Sequence, residues 1–114
     1  MNKTQILVIG HNQDILQTVL RLINENKKWE AVGTTNDEKA IELFHHHNFD
    51  LVILGGGISE QDDKKLRAVF TKQNADITII QHFGGGSGLL ENEIRSALEH
   101  NAEGNFNVID NPFN

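Results

Sequence analysis

Three apolar runs in this sequence end in glycine or histidine at positions where chemistry would be expected. The runs at residues 6–9, 51–54 and 77–80 lead respectively into Gly10 and His11, into Gly55, Gly56 and Gly57, and into Gln81 and His82. In an open α/β sheet, the carboxyl ends of the strands line the crevice that holds ligands. Without acids there, the crevice lacks the oxygen ligands that hold Mg²⁺ for phosphoryl chemistry. The residue types therefore argue against phosphoryl chemistry and favour a binding role.

A second glycine-rich segment precedes a predicted helix at residues 89–100. Backbone N–H groups at such a helix start can hold an anion. The segment fits neither a Walker A motif, because no lysine follows, nor a dinucleotide-binding G-x-G-x-x-G after the first strand. We therefore prefer tight or flexible turns to a phosphate-type ligand. The candidate ligand-binding residues are Gly56, Gly57, His82, Gly84, Gly85, Gly86 and Ser87.

The histidines of the strand ends are a further candidate for chemistry. His11 and His82 are both expected to point into the crevice, where Asn12, Gln81 and Asn111 would complete a neutral polar cluster. The two histidines are alternatively a pair of metal ligands. Zinc usually takes three or four protein ligands, so we predict exposed loop histidines without a metal.

Other titratable residues suggest no site by themselves. His45, His46 and His47 are consecutive, so a helix would spread them around its circumference. Asp62 and Asp63 supply no site on their own. No Ser-His-Asp order, Cys-His order or pair of carboxylates stands out for catalysis. We predict no catalytic residue, no enzymatic activity and no cofactor.

The composition indicates one globular domain over residues 1–114, with 38% hydrophobic and 23% charged residues. A formal net charge of −6 disfavours nucleic acid and anionic membranes as partners. The absence of cysteine excludes disulfides and thiolate chemistry. Neither a signal peptide nor an apolar run of membrane-spanning length is evident, so we expect a cytoplasmic protein.

The elements that position these residues alternate between strand and helix. Residues 6–9 are entirely apolar, as in a buried parallel strand, whereas Leu90, Ile94 and Leu98 follow helical spacing. The predicted strands are residues 6–9, 29–35, 49–54, 77–80 and 106–110, and the predicted helices are residues 14–26, 37–46, 60–73 and 89–100. This order predicts an open parallel sheet with helices on both faces.

The local sequence resembles the receiver domain of two-component response regulators along nearly the whole chain. Residues 6–15 resemble the opening strand and loop of that family, residues 50–55 its third strand, and residues 108–113 its closing strand, lysine, proline and phenylalanine. The resemblance implies a flavodoxin-like α/β fold, with an open parallel five-stranded sheet in the order 2-1-3-4-5.

The resemblance also shows which family functions are missing. The two metal-binding acids of the family correspond to Gly10 and His11, its phosphoacceptor to Gly55, its hydroxyl residue to Gln81 and its lysine to Asn111. All of these roles are lost. The chain therefore resembles a degenerate receiver, or pseudo-receiver, that the usual aspartyl mechanism does not phosphorylate.

The sequence also ends soon after the predicted fifth strand, with only Phe113 and Asn114 following Pro112. Receivers carry a fifth helix there, so we expect an open sheet face that a protein partner covers, most simply a second copy of this chain. Alternatively, the chain is one piece of a longer protein. The family's partner surface corresponds to residues 89–109. The expected function is protein–protein interaction in signal transduction. The alternative is a small-ligand sensor that holds an anion or a nucleotide in the glycine-rich crevice.

Overall fold

The computed structural model describes residues 3–82 and 87–110, in which four strands alternate with four helices. The strands are β1 (Thr4–Ile9), β2 (Trp29–Thr34), β3 (Leu51–Leu54) and β4 (Thr78–Gln81). The helices are α1 (Gln13–Asn24), α2 (Asp37–His46), α3 (Glu60–Gln73) and α4 (Ser87–Asp110). The alternating order confirms the predicted α/β class.

The strands form one parallel sheet in the order β2-β1-β3-β4. Leu7 of β1 lies between Val32 of β2 and Val52 of β3. The two central strands are buried on both faces, which explains their uninterrupted apolar sequence. This arrangement confirms a flavodoxin-like sheet with the predicted order of its first four strands.

Two helices cover each face of the sheet. On one face, α1 and α4 pack over alternate residues of β1, with Leu16 and Ile94 among the buried contacts of Ile6 and Val8. On the other face, α2 and α3 pack over the intervening residues of β1 and over β3; Phe44 and Phe70 meet there with ring centroids 4.6 Å apart. The period of two along each strand therefore divides the core into two layers.

Three helices begin at the carboxyl edge of the sheet with a side-chain cap. Asn12 accepts a hydrogen bond from the N–H of Ile15 at 3.0 Å, and Asn36 accepts one from Lys39 at 2.9 Å. Ser59 caps α3 in the same way. Each such cap stabilises a helix by about 1 kcal/mol. Together they fix the first turns of α1, α2 and α3 beside the crevice.

The prediction of a fifth strand at residues 106–110 is wrong, because these residues continue α4 to Asp110. The apolar run there is short, and short apolar runs fit a helix as well as a strand. Ala102 and Glu103 favour helix. Gly104 lowers helix stability by about 1 kcal/mol relative to alanine, which is too little by itself to end a helix. The sheet of the described residues consequently has four strands.

α4 is longer than predicted, and it covers the sheet face that was expected to be open. Leu90, Ile94 and Ala97 are buried, so α4 already shares with α1 the face on which a missing helix was expected. What the described residues leave unpaired is the outer edge of β4, whose four residues are all half-buried. Within the same residues, no helix is both long enough and apolar enough to span a membrane.

Candidate functional site

The carboxyl ends of β1 and β3 approach each other closely at two glycines. The N–H of Gly55 donates to the carbonyl of Ile9 at 2.7 Å, and the N–H of His11 donates to the carbonyl of Gly56 at 3.3 Å. A methyl group added at Gly55 would lie 3.3 Å from the Ile9 oxygen and 3.6 Å from the Gly10 Cα. Backbone atoms thus occupy the top of the crevice, where the resemblance had placed an acid and a phosphoacceptor.

A small cavity of about 60 Å³ lies below these glycines. Its walls are largely apolar and come from β1, β3 and α1, with Val8, Leu16 and Ile53 among them. Sites for drug-sized ligands and cofactors usually measure roughly 300–1,000 Å³. The cavity can hold water or a small fragment, but it is too small for a nucleotide.

His82 lies in this crevice, but the prediction that it is an exposed loop histidine is wrong. Its side chain is buried, and its Nδ1 lies 2.5 Å from the Oε1 of Glu93 on α4. Its backbone N–H donates to the carbonyl of Leu54 at 2.9 Å. The imidazole therefore joins the end of β4 to α4 and forms one wall of the cavity.

His11 points away from the cavity, toward the first turns of α2 and α3. Its Nδ1 lies 3.1 Å from the carbonyl oxygen of Gly57, and its Nε2 lies 2.9 Å from the Oδ1 of Asp37. One ligand-type atom from each of His11, Asp37 and Asp62 lies within 4.8 Å of the others. The prediction that His11 points into the crevice beside His82 is wrong, because the two histidines contact different acids.

The electrostatic surroundings of His11 favour its protonated form. The hydrogen bond to Asp37 is the largest effect that raises the pKa of His11 above its ordinary 6.5. The charge of Asp37, the Gly57 carbonyl and the charge of Asp62 raise this pKa further, while partial burial lowers it. The cluster thus attracts a cation.

The remaining predicted residues have separate positions. Asn12 caps α1, and Gln81 ends β4 half-buried beside α4. A Cβ added at Gly56 would meet nothing within 4 Å, whereas Gly57 adopts a φ of +85° that favours glycine. Ser87 begins α4. Phe83, Gly84, Gly85, Gly86 and Asn111 lie outside the described residues.

Asp37 and the role of Asp62 were missed in the sequence. Each acid lies in the first turn of its own helix, where acids are common because the helix dipole stabilises negative charge. The available signal was topological: α2 follows β2 and α3 follows β3, the two strands that flank β1, so their first turns lie at the same edge of the sheet. His11 belongs to that edge as well.

Comparisons with solved structures identify the fold. The chain is similar to the signal receiver domain of an HD domain-containing protein from Pseudomonas fluorescens Pf-5, with a TM-score of 0.77, 20% identity and coverage of 92% of this chain and 93% of that one. It is similar to a CheY-like response regulator receiver domain protein from Methanospirillum hungatei JF-1, with a TM-score of 0.76, 10% identity and coverage of 90% and 98%.

A third similar structure is the response regulator protein TrrA from Thermotoga maritima in complex with Mg²⁺ and BeF, with a TM-score of 0.72, 18% identity and coverage of 83% of this chain and 99% of that one. No protein-family model and no curated protein matches the sequence. At these identities the likeness establishes the fold alone. The chain has the fold of response regulator receiver domains.

Proposed function

We propose that this chain is a degenerate receiver domain that acts in cytoplasmic signal transduction by binding another protein, without catalysis and without phosphorylation on aspartate. The observation that carries the proposal is Gly55 at the end of β3. This residue has no nucleophilic side chain, and its N–H donates to the Ile9 carbonyl at the top of the crevice. The receiver-type neighbours support a role in signalling.

The local electrostatics also support a loss of phosphoryl transfer. Gly10 offers no metal ligand, and His11 is turned toward Asp37 instead of the crevice. A transferred phosphoryl group needs cationic compensation of its charge. The small apolar cavity provides none, and its volume argues against the alternative role as a nucleotide sensor.

The partner surface that we propose is the outer edge of β4 together with α4. A groove between them is lined by Ile80, Gln81, Asn92, Glu93, Ser96 and Ala97. The strand Thr78–Gln81 carries no charge and no proline, the features that usually keep an edge strand from pairing. Because the strand is neutral, two copies can approach by a two-fold axis without like-charge repulsion. A second copy of this chain is therefore the proposed occupant.

Mass spectrometry tests the proposed loss of phosphorylation directly. The chain is incubated with Mg²⁺ and acetyl phosphate, and the intact mass is recorded before and after treatment with hydroxylamine, which cleaves acyl phosphates. A conventional receiver domain treated in parallel is the positive control. We expect an unchanged mass for this chain. A hydroxylamine-sensitive phosphoryl adduct would contradict the proposal.

A further inference from the structure

We propose that His11, Asp37 and Asp62 form a binding site for a divalent transition metal ion such as Zn²⁺. The three residues come from three separate elements: the loop after β1, the first turn of α2 and the first turn of α3. Their ligand-type atoms all lie within 4.8 Å of one another. The site is distinct from the cavity beneath Gly10 and Gly55, which His11 does not line.

The hydrogen bonds of His11 determine which nitrogen is available to a metal. The carbonyl of Gly57, 3.1 Å from Nδ1, can only accept a hydrogen bond, so Nδ1 carries a proton and donates it. Metal-binding histidines commonly donate their second ring nitrogen to a backbone carbonyl in this way. Nε2 is therefore the nitrogen directed at the acids.

Nε2 and the Oδ1 of Asp37 lie 2.9 Å apart and face each other. In the neutral tautomer with Nδ1 protonated, both atoms present lone pairs. A cation must then separate them, and it is either a second proton on the imidazole or a metal ion. A second carboxylate, Asp62, also lies within 4.8 Å. A proton balances the charge of only one of the two carboxylates, whereas a divalent ion balances both.

The donor types favour a transition metal over Mg²⁺ or Ca²⁺. Mg²⁺ and Ca²⁺ prefer oxygen ligands alone, whereas imidazole nitrogen suits zinc and its neighbours in the first transition row. Two ligands about 2.0–2.2 Å from one tetrahedral ion lie about 3.4 Å apart, so Nε2 and Oδ1, which are 2.9 Å apart here, need to separate only slightly to admit the ion. Three protein ligands leave open positions for water or for a side chain of a partner.

The test is a titration of the full chain, first stripped with a chelator, with Zn²⁺ and in parallel with Mg²⁺. Calorimetry gives affinity and stoichiometry, and two-dimensional ¹⁵N–¹H NMR locates the site. The buffer is held at about pH 8, because proton competition for His11, whose pKa lies above the ordinary value of about 6.5, weakens as pH rises. His45, His46 and His47 are replaced by Asn throughout, because adjacent surface histidines can bind Zn²⁺ themselves.

Asp62→Asn is the diagnostic variant, since it removes a charged ligand with little change in shape. Asp63→Asn is its matched control: Asp63 is the next residue of the same helix turn, and it pairs with Arg67 at 2.6 Å outside the cluster. We expect one Zn²⁺ per chain, with NMR changes at His11, Asp37 and Asp62. Loss of the Asp62 carboxylate should weaken Zn²⁺ binding at least about 10-fold, because even mutations of residues outside the ligand set cost about 10- to 100-fold in metal affinity.

The control variant should bind Zn²⁺ within about 2-fold of the parent affinity, because Asp63 is not a ligand. Circular dichroism and a melting curve establish that both variants are folded. Absence of saturable Zn²⁺ binding, equal weakening by the two variants, or equal affinity for Mg²⁺ and Zn²⁺ would each overturn the proposal. Metal binding here and phosphorylation in the crevice are measured separately, so failure of one leaves the other intact.

Discussion

The imidazole of His82 and the carboxylate of Glu93 lie 2.5 Å apart and join the end of β4 to the first turns of α4. The histidine is only 4% exposed, while Glu93 is half-buried. The contact links the end of the sheet to α4, and His82 forms one wall of the cavity below Gly10 and Gly55.

Replacing Glu93 with alanine should destabilise the domain, because it leaves a buried imidazole nitrogen without its partner. The expected cost is about 1–3 kcal/mol in the free energy of unfolding, measured by urea denaturation. Glu91→Ala on the same helix is the control, since Glu91 pairs with Arg95 on the surface at 2.7 Å. Exposed pairs of this kind contribute about 0.3–0.5 kcal/mol. Equal effects of the two substitutions would contradict a structural role for the His82–Glu93 contact.

Gly33 is required by the close packing of α1 on β2. A methyl group added there would lie 2.8 Å from the carbonyl oxygen of Val8 and 3.0 Å from the Cδ1 of Leu16. Because the backbone oxygen of a central strand cannot move aside easily, Gly33→Ala should cost about 1–3 kcal/mol of stability. Gly56→Ala, where the added group meets nothing within 4 Å, should be close to neutral. Thermal unfolding of both variants checks this contrast, and a neutral Gly33→Ala would show that the packing is looser than described.

The stability of the metal-free protein should depend on pH through His11. Its pKa is raised in the folded state, chiefly by the hydrogen bond to Asp37. The stabilisation is therefore complete below the unfolded pKa of about 6.5 and is lost as pH rises through the folded pKa. Urea unfolding in the presence of a chelator should show the difference between the parent and His11→Gln shrinking as pH increases.

The variant Asp37→Asn provides the control for this pH dependence. Without the carboxylate, an NMR titration should show the pKa of His11 falling back toward its ordinary value of about 6.5. An unchanged pKa in Asp37→Asn, or a difference between parent and His11→Gln that grows with pH, would refute the assigned pairing.

The outer edge of β4 should mediate self-association. The N–H of His82 points to β3, where it donates to Leu54, so by alternation the backbone groups of Ile79 and Gln81 face outward. Light scattering should show a mass that increases with concentration toward that of a dimer. Gln81→Lys places a charge on this edge in both copies and should shift the protein to monomer.

Gln17→Lys on the exposed side of α1 adds the same charge away from this edge, and it should leave the association unchanged. A monomer at every concentration in the parent protein would remove the second copy as the proposed occupant. Dimers that dissociate equally in both variants would point to a different surface.

Much of the fold was predictable because burial leaves a periodic signal. The strand predicted at residues 49–54 and the helix predicted at residues 60–73 were located from that signal. The helix bounds agree with the structure, whereas the strand covers only residues 51–54. Residues 106–110 were wrongly predicted as a strand, because Phe106, Val108 and Ile109 satisfy neither periodicity clearly. Only the continuation of α4 resolves that ambiguity.

The candidate site was less predictable because its contacts join residues distant in sequence. His82 was correctly placed in the crevice, yet Glu93 on α4 was not foreseen as its partner. His11 was expected beside His82 but turns toward Asp37, 26 residues away. A strand end fixes the position of a residue at the edge of the sheet, whereas the rotation of its side chain depends on which acids the neighbouring helices place there.

The central claim is that the crevice at Gly10 and Gly55 does not bind a phosphoryl group. A two-dimensional ¹⁵N–¹H NMR titration with Mg²⁺ and beryllium fluoride, each alone and then together, tests it most directly. We predict no saturable change at Gly10, Gly55 or Gly56 that requires both additions. Changes at these glycines that appear only with the two together would mean that the crevice still binds a phosphoryl analogue, and would contradict the account.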